Sequence, residues 1–442
     1  MRPATLLGLL CLGLAGPAAA QDDRCVFRIR NVDRTGTQAE VAPGIVNYYA
    51  GGNVSLYCEG TRITMFSDSV ASYGLSRTVL FIGHVKYADS SVTMTADRGT
   101  YFRDNDRWEA RGNVVTENLQ NGSTITGPSL DYLREIKGKR DAAELYAVGR
   151  PTIRYVTLDD AGKPAEPYII VADRVRLTGE DRVWAGGKVT IDRSDFAARS
   201  DSLRLDTGAG SDGTLLGGPP ELRGQGTDSF TLKGRRIDLK LDHRELTYVT
   251  AKGDGHAVSR DLDLVADTIG LDIDHEKLVQ TLAWGDSIRP RALSADYTIL
   301  ADSLAFDTPG GHLTQTRAFR RAWVASKEDS VTHDRDWLSG ERIVADFALR
   351  DSAGTSRTSI RRITAVQHAR SFYRLKDEKH PGRPALNYSR GDSIVVHLRA
   401  TGEEGVARVD LRGSVDGVQL EALDDSLARP SADSLGGRRK TP

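Results

Sequence analysis

Apolar and polar positions along the chain repeat one short phrase. It consists of a small residue, an acid, any residue, and then apolar residues two and four places after the acid. Ala172-Asp173-Arg174-Val175-Arg176-Leu177 is the clearest copy, and Ser200-Asp201-Ser202-Leu203-Arg204-Leu205, Ala266-Asp267-Thr268-Ile269-Gly270-Leu271 and Ala301-Asp302-Ser303-Leu304-Ala305-Phe306 follow it. Looser copies stand at Asp68, Asp97, Arg235, Glu341 and Asp392. Alternation of this kind predicts a half-buried strand opening just after a turn. Between copies lies a second phrase, a glycine followed by alternating apolar residues, as in Gly83-His84-Val85-Lys86-Tyr87, Gly112-Asn113-Val114 and Gly187-Lys188-Val189-Thr190-Ile191. The two phrases alternate at a spacing of about 30 residues, which predicts an array of roughly ten strand-pair units. Side chains alternate across a strand, so the apolar positions form one continuous stripe. The stripe fits a packed core between two sheets, or an apolar groove where the sheets splay apart. The recurring acids, Asp97, Asp173, Asp201, Asp267 and Asp302, read as turn caps, because a catalytic pair would be singular and a turn residue repeats.

Local signals mark turns at Arg103-Asp104-Asn105-Asp106-Arg107 and Asn121-Gly122, a longer loop at 134–144, and an insertion at 374–385. Gly208-Ala209-Gly210-Ser211-Asp212-Gly213 matches a dinucleotide fingerprint in letters only. It runs into Gly217-Gly218-Pro219-Pro220, where no helix can start to hold a pyrophosphate. The predicted organisation is a leader at 1–20, two halves of the array at 21–213 and 214–423, and a disordered tail at 424–442.

The leader carries Arg2, an apolar run from Leu6 to Leu14, and a small-residue cleavage site at Ala18-Ala19-Ala20, which reads as a cleavable signal peptide. After its removal two cysteines remain, Cys25 and Cys58. Export makes them a candidate disulfide, contributing about 3–4 kcal/mol on the chain-entropy model; the alternative is two small buried residues that never meet. The 442 residues carry 60 basic and 61 acidic side chains, with no basic excess to serve a nucleic-acid surface. No terminal aromatic strand or aromatic girdle suggests a membrane barrel. The nine His are scattered, without HExxH, CxxC or GxSxG, so the chain reads as non-enzymatic, with no metal and no cofactor. Its five Trp fall on strands as packing residues.

Several blocks together resemble a known family: Phe81-Ile82-Gly83-His84-Val85, Ala96-Asp97-Arg98, Arg111-Gly112-Asn113-Val114-Val115, Gly149-Arg150-Pro151 with Tyr155 after it, and Asp160-Ala161-Gly162-Lys163-Pro164 leading into Ala172-Asp173-Arg174-Val175. In this order they resemble the OstA-like (LptA) family of periplasmic lipopolysaccharide-transport proteins, whose fold also forms the periplasmic part of LptD. The likeness is strongest from about Leu80 to Asp206. It implies an all-β fold, an elongated V-shaped β-jellyroll of stacked antiparallel strands. It also implies lipopolysaccharide or a related amphiphilic lipid as ligand, with acyl chains in an apolar groove. Partners would be inner- and outer-membrane components of the export machinery, met through β-strand edges, with end-to-end self-assembly. The compartment would be the periplasm of a Gram-negative-type bacterium, with association at the outer membrane. Carried over by position, the groove residues are Ile153, Tyr155, Val175 and Leu177; alternation extends the set to Val85, Tyr87, Val114 and Leu203. The chain has more repeats than a typical family member and lacks the barrel of LptD. A structural β-repeat scaffold or envelope interaction protein without ligand is the rival reading. A polysaccharide-acting enzyme would need a singular cluster of acids, which the sequence lacks.

Overall fold

The computed structural model describes residues 25–421, apart from 37, 157, 159–161, 165, 180, 195, 209–211, 226–228, 243–244, 261, 275–276, 295, 328–333, 353–354, 376–383 and 400–405. The leader at 1–20, the tail at 424–442, most of the 374–385 insertion and His333 lie outside the described residues. Within them the chain is all-β and jellyroll-like, thirty-one strands with a single three-residue 3-10 turn at Pro309–Gly311. The strands pair antiparallel, with partners one to three strands away in sequence. The chain divides into two compact units. The first holds the residues up to Thr116 together with Ser129–Glu144, and the second holds Glu117–Pro128 together with the residues from Leu145 on. Near residue 213 the strand Asp212–Leu216 pairs with Phe196–Asp206 on one side and Arg236–Asp242 on the other.

The glycine phrase has a different role from the one its letters suggest. It falls in the middle of long strands. In Thr78–Ala88 the pair Gly83-His84 has φ of 77° and 44°; in Arg107–Asn118 the pair Gly112-Asn113 has 76° and 43°. Two consecutive left-handed residues turn the strand sharply and consume two positions of the ladder. The pairing register jumps from Ile82 to Val85 accordingly, and buried positions run Val79, Phe81, then Val85, Tyr87. Both halves of the strand therefore present apolar faces to the inside of the bend. We call the two halves arms and the bend a corner. Corners recur at Gly52-Asn53, Gly187-Lys188, Gly253-Asp254, Arg320-Arg321 and Gln367-His368, each with a register jump.

The recurring acids sit against these corners on the neighbouring strand. Asp267 does cap a turn, accepting the Ser287 and Ile288 N–H groups at 2.7 and 2.8 Å between the strands Lys277–Trp284 and Arg291–Leu293, whereas Asp97 and Asp302 bond to corner side chains. Asp97 and Asp201 lie inside continuous strands, Val92–Phe102 and Phe196–Asp206. Asp68 Oδ2 lies 2.8 Å from His84 Nδ1. Asp97 accepts from Asn113 Nδ2 at 2.9 Å, Asp33 from Asn53 Nδ2 at 2.7 Å, and Asp302 from Arg321 at 2.7 Å. At one corner the pair is exchanged end for end, Arg235 donating to Asp254 at 2.7 Å. A β-carbon at Gly83 or Gly112 would strike the facing carboxylate, so glycine there meets both the left-handed backbone and the close approach. The small residue before each acid lies on the inner side of the corner. Ala96, Ala172, Ala266 and Ala301 are all buried there, where the arms converge and larger side chains would collide.

Cys25 and Cys58 form a disulfide with Cα atoms 5.2 Å apart. It ties the start of the described chain to the strand Ile45–Cys58, against which Phe27–Asn31 pairs.

Candidate functional site: the space between the arms

In the second unit the inward positions join into rows that cross the whole sheet. One row lies just outside the corner and reads Ile237, Ala251, Ile269, Ala283, Leu304, Ala318, Ile343, Ala365, Ile394, each the register partner of the one before. Large and small alternate strand by strand, so branched side chains fill the gaps above alanines. None is more than 3% exposed. Leu203 and Val175 continue this row toward the start of the unit, through Leu215 and Ala185. The next row outward contains Leu177, Val183, Leu205, Gly213, Leu239, Val249 and Leu271; Leu177 and Leu205 are half-buried. A last set stands at the tips of this arm. Leu241 faces Leu246, Ile273 faces Leu278 and Phe347 faces Ile360 across their strand pairs, and all six are half-buried. Exposure thus rises from corner to tip while the lining stays mostly apolar, with Thr281 and Thr316 interrupting the middle row beyond Leu271.

The opposite arm supplies its own row, Ile125, Ile153, Ile170, Ile191, Ala198, Leu222 and Leu232, again partner to partner. Farther along, Leu264, Ala292, Ile299, Val324 and Leu338 lead to Ser371 and Ser389. The two arms face each other directly. A gap of about 20 Å3 between them is lined by Ile299 and Val324 from one arm and Thr316, Ile343, Phe347 and Ile363 from the other. That is room for about one water. The Thr316 hydroxyl at its wall is buried without a hydrogen-bond partner. Near the start of the unit the tips are joined, with the Tyr155 and Thr207 hydroxyls 3.0 Å apart and buried.

Every sequence-predicted lining residue faces inward. Val85, Tyr87 and Val114 do so in the first unit, Ile153, Tyr155, Val175, Leu177 and Leu203 in the second. Seven are covered by the protein itself, and only Leu177 is half-exposed. Ile153 belongs to one arm, Val175, Leu177 and Leu203 to the other. Tyr155 serves as the joint across the tips. The sequence reading missed the row Ile125–Leu232 and the tip set. For the first a signal existed, the apolar residues four places after each corner glycine, such as Ile191 after Gly187.

The outer faces are wet and charged. Trp184 and Trp284 stand on them, each 39% exposed, and Arg174 lies over the Trp184 ring at 5.3 Å; only Trp108 of the five is almost fully buried. In the second unit one carboxylate among the described residues is buried outside the apolar rows. Glu221, 2% exposed, lies between its register partners Arg199 and Lys233 and accepts from Arg199 and Arg223. Burial works to raise its pKa, but the hydrogen bonds from Arg199 and Arg223 and the nearby cationic charge outweigh that and hold it below the usual glutamate value. Among the described residues, no group of three or more His, Cys, Asp or Glu could hold a metal ion, and no helix is long and apolar enough to cross a membrane.

Compared with known proteins, the chain matches no family model and no curated protein sequence.

Proposed function

We propose that the chain is a non-enzymatic carrier of an amphiphilic lipid of the lipopolysaccharide class, shielding acyl chains between its arms on the way to the outer membrane of a Gram-negative-type envelope. The observation that carries this reading is the outward gradient. Apolar lining continues to the arm tips, where Leu241, Leu246, Ile273, Leu278, Phe347 and Ile360 are half-exposed rather than replaced by polar residues. A sheet interior that serves stability alone has no need of an apolar rim. Each acyl methylene taken from water is worth about 0.8 kcal/mol, so a chain needs no covalent attachment to be held. The arms must part to admit one, starting from the tips.

Sheet edges support the partner side of the proposal. Val406–Arg412 and Asp416–Leu420 both pair with Ala385–Leu398, and Val418 and Leu420 are 57% and 59% exposed. Strands of this kind accept another strand, which fits pairing with envelope components or with a second copy.

The tight inner row favours a second reading, a filled β-repeat scaffold without ligand. In-cell photocrosslinking separates the two, with a photoreactive residue at Leu177, an outward control at Arg176, and detection of lipopolysaccharide. The carrier reading expects an adduct at Leu177 alone. No adduct from a folded, exported protein, together with no native-state binding of an apolar fluorophore, would leave the scaffold.

A further inference from the structure

In the first unit three segments wall a cavity of about 350 Å3: Thr61–Ile63, Asp89–Ser91, and residues 134–143. Its chemistry is unlike that of the apolar rows. At its base Asp89 Oδ2 accepts the hydroxyls of Tyr87 and Tyr132 at 2.9 and 3.0 Å, and Oδ1 accepts the backbone N–H groups of Ser91 and Val92 at 2.7 and 2.8 Å. Four donors saturate this carboxylate, which leaves it little capacity for a ligand. Burial, and then the Asp89 charge, push the pKa of both tyrosines up, so they remain donors to it.

The cations are placed differently. Arg134 lines the cavity with Nη2 buried and without a hydrogen-bond acceptor. Asp106 Oδ2 is 3.9 Å from it, and Asp106 itself takes the Tyr101 hydroxyl. Arg62 and Lys137 stand exposed on the wall with Glu135, while Asp89 is spent on its four donors and Asp106 lies behind Arg134. A guanidinium and an ammonium converging on one space suit a phosphate, the first by its planar fork and the second as a mobile point charge. The hydroxyls of Ser90 and Ser91, with Glu135, suit the hydroxyls of a sugar; the Thr61 hydroxyl is held in its own turn by Cys58 O and the Ile63 N–H. The volume is that of a small-molecule site.

We propose that this cavity binds a phosphorylated sugar, with Arg134, Lys137 and Arg62 on the phosphate and the hydroxyl wall on the ring. Such a group occurs free in solution or as the head of an amphiphile; the second source rests on the carrier reading above.

Calorimetric titration of the full chain tests the site with three probes: glucose 6-phosphate, glucose and inorganic phosphate. Glucose 6-phosphate is expected to bind, and glucose at least tenfold more weakly. The exposed pair Arg62→Ala with Lys137→Ala is expected to weaken glucose 6-phosphate more than tenfold at unchanged thermal unfolding. Arg134→Lys should weaken it as well while keeping a charge beside Asp106. Equal binding of glucose and glucose 6-phosphate, no binding of the latter, or indifference of the double variant overturns the proposal. A photoreactive residue at Ser90 identifies the source. A lipopolysaccharide adduct displaced by glucose 6-phosphate assigns the site to a lipid head, and calorimetric binding without an adduct assigns it to a free sugar phosphate. An adduct at Leu177 with no glucose 6-phosphate binding would remove this site and leave the carrier. Glucose 6-phosphate binding with no adduct at either position would do the reverse.

Discussion

The two units use the same corner and fill it with different material. In the first, the arms are bridged by rings. Trp108 lies 5.1 Å from Phe81, before the Gly83-His84 corner, and 5.4 Å from Tyr87, beyond it, with Tyr87 stacked on the indole. Phe27 meets Tyr101 edge-on at 4.9 Å, and Tyr132 meets Tyr87 at 5.9 Å. Gly99 is bare because Trp108 occupies the space a side chain would take. Hydroxyls of three of these rings are then tied to Asp89 and Asp106. In the second unit the arms meet where Ile299 and Val324 face Ile343, Phe347 and Ile363, and the rows Ile237–Ile394 and Ile125–Leu232 consist of branched aliphatics and alanines. Rings of defined tilt, anchored at their far ends, hold two arms in one relation. Aliphatic rows, tied across the tips near the start of the unit by Tyr155 and Thr207, specify the separation of the arms less sharply than anchored rings do. One corner geometry thus serves a ring-bridged interior and an aliphatic one.

The sharpest way to break this comparison is Trp108→Ala. It should cost about 3–5 kcal/mol and lower protection in the first unit, read by denaturant unfolding and hydrogen exchange. A tip truncation in the second, Ile273→Ala, should cost far less, since that side chain is already half in water. Equal costs would mean that the rings bridge nothing. Removing the disulfide with Cys25→Ala comes next, at about 3–4 kcal/mol on the chain-entropy model. Hydrogen exchange should place that loss in the first unit. Ala251→Leu sharpens the contrast from the other side. It overfills the row between Ile237 and Ile269 and should cost about 1–3 kcal/mol, whereas a neutral result would show the aliphatic rows to be loosely filled. Glu221→Gln is the smallest, about 1–2 kcal/mol at neutral pH. Because the folded pKa of Glu221 is depressed, its contribution is complete above the ordinary glutamate value of 4.5 and disappears as pH falls through the lower folded value. The gap between wild type and variant in Tm should therefore close below about pH 4.5 and stay constant above it.

Much of this fold was legible as alternation. The strands and the inward parity of Val175, Leu203, Ile269 and Leu304 follow from the acid phrase, and their antiparallel stacking is what the family resemblance implies. The corner did not follow. A polar pair that resets the alternation looks the same in letters whether the chain reverses or only bends, because both put apolar residues at plus two and plus four. Two corners, Arg320-Arg321 and Gln367-His368, have no glycine to betray them. Depth was equally hidden. Val175 and Leu177 are equivalent in pattern, yet one is 2% exposed and the other half-buried, since only distance from the bend separates them. The sugar-phosphate cavity left no periodic trace, for it is assembled from three turns far apart in sequence.

The corner also gives each strand the mechanics of a lever. An arm of about five residues extends roughly 17 Å from its fulcrum. A rotation of about 10° at the left-handed pair then carries the tip about 3 Å, while a buried alanine beside the fulcrum scarcely moves. Small angular play at many fulcra in line would become wide travel at the rim while leaving the inner row in contact. The Tyr155–Thr207 bond, placed at the far end of its levers, restrains that travel with the greatest mechanical advantage a single hydrogen bond can have in this fold.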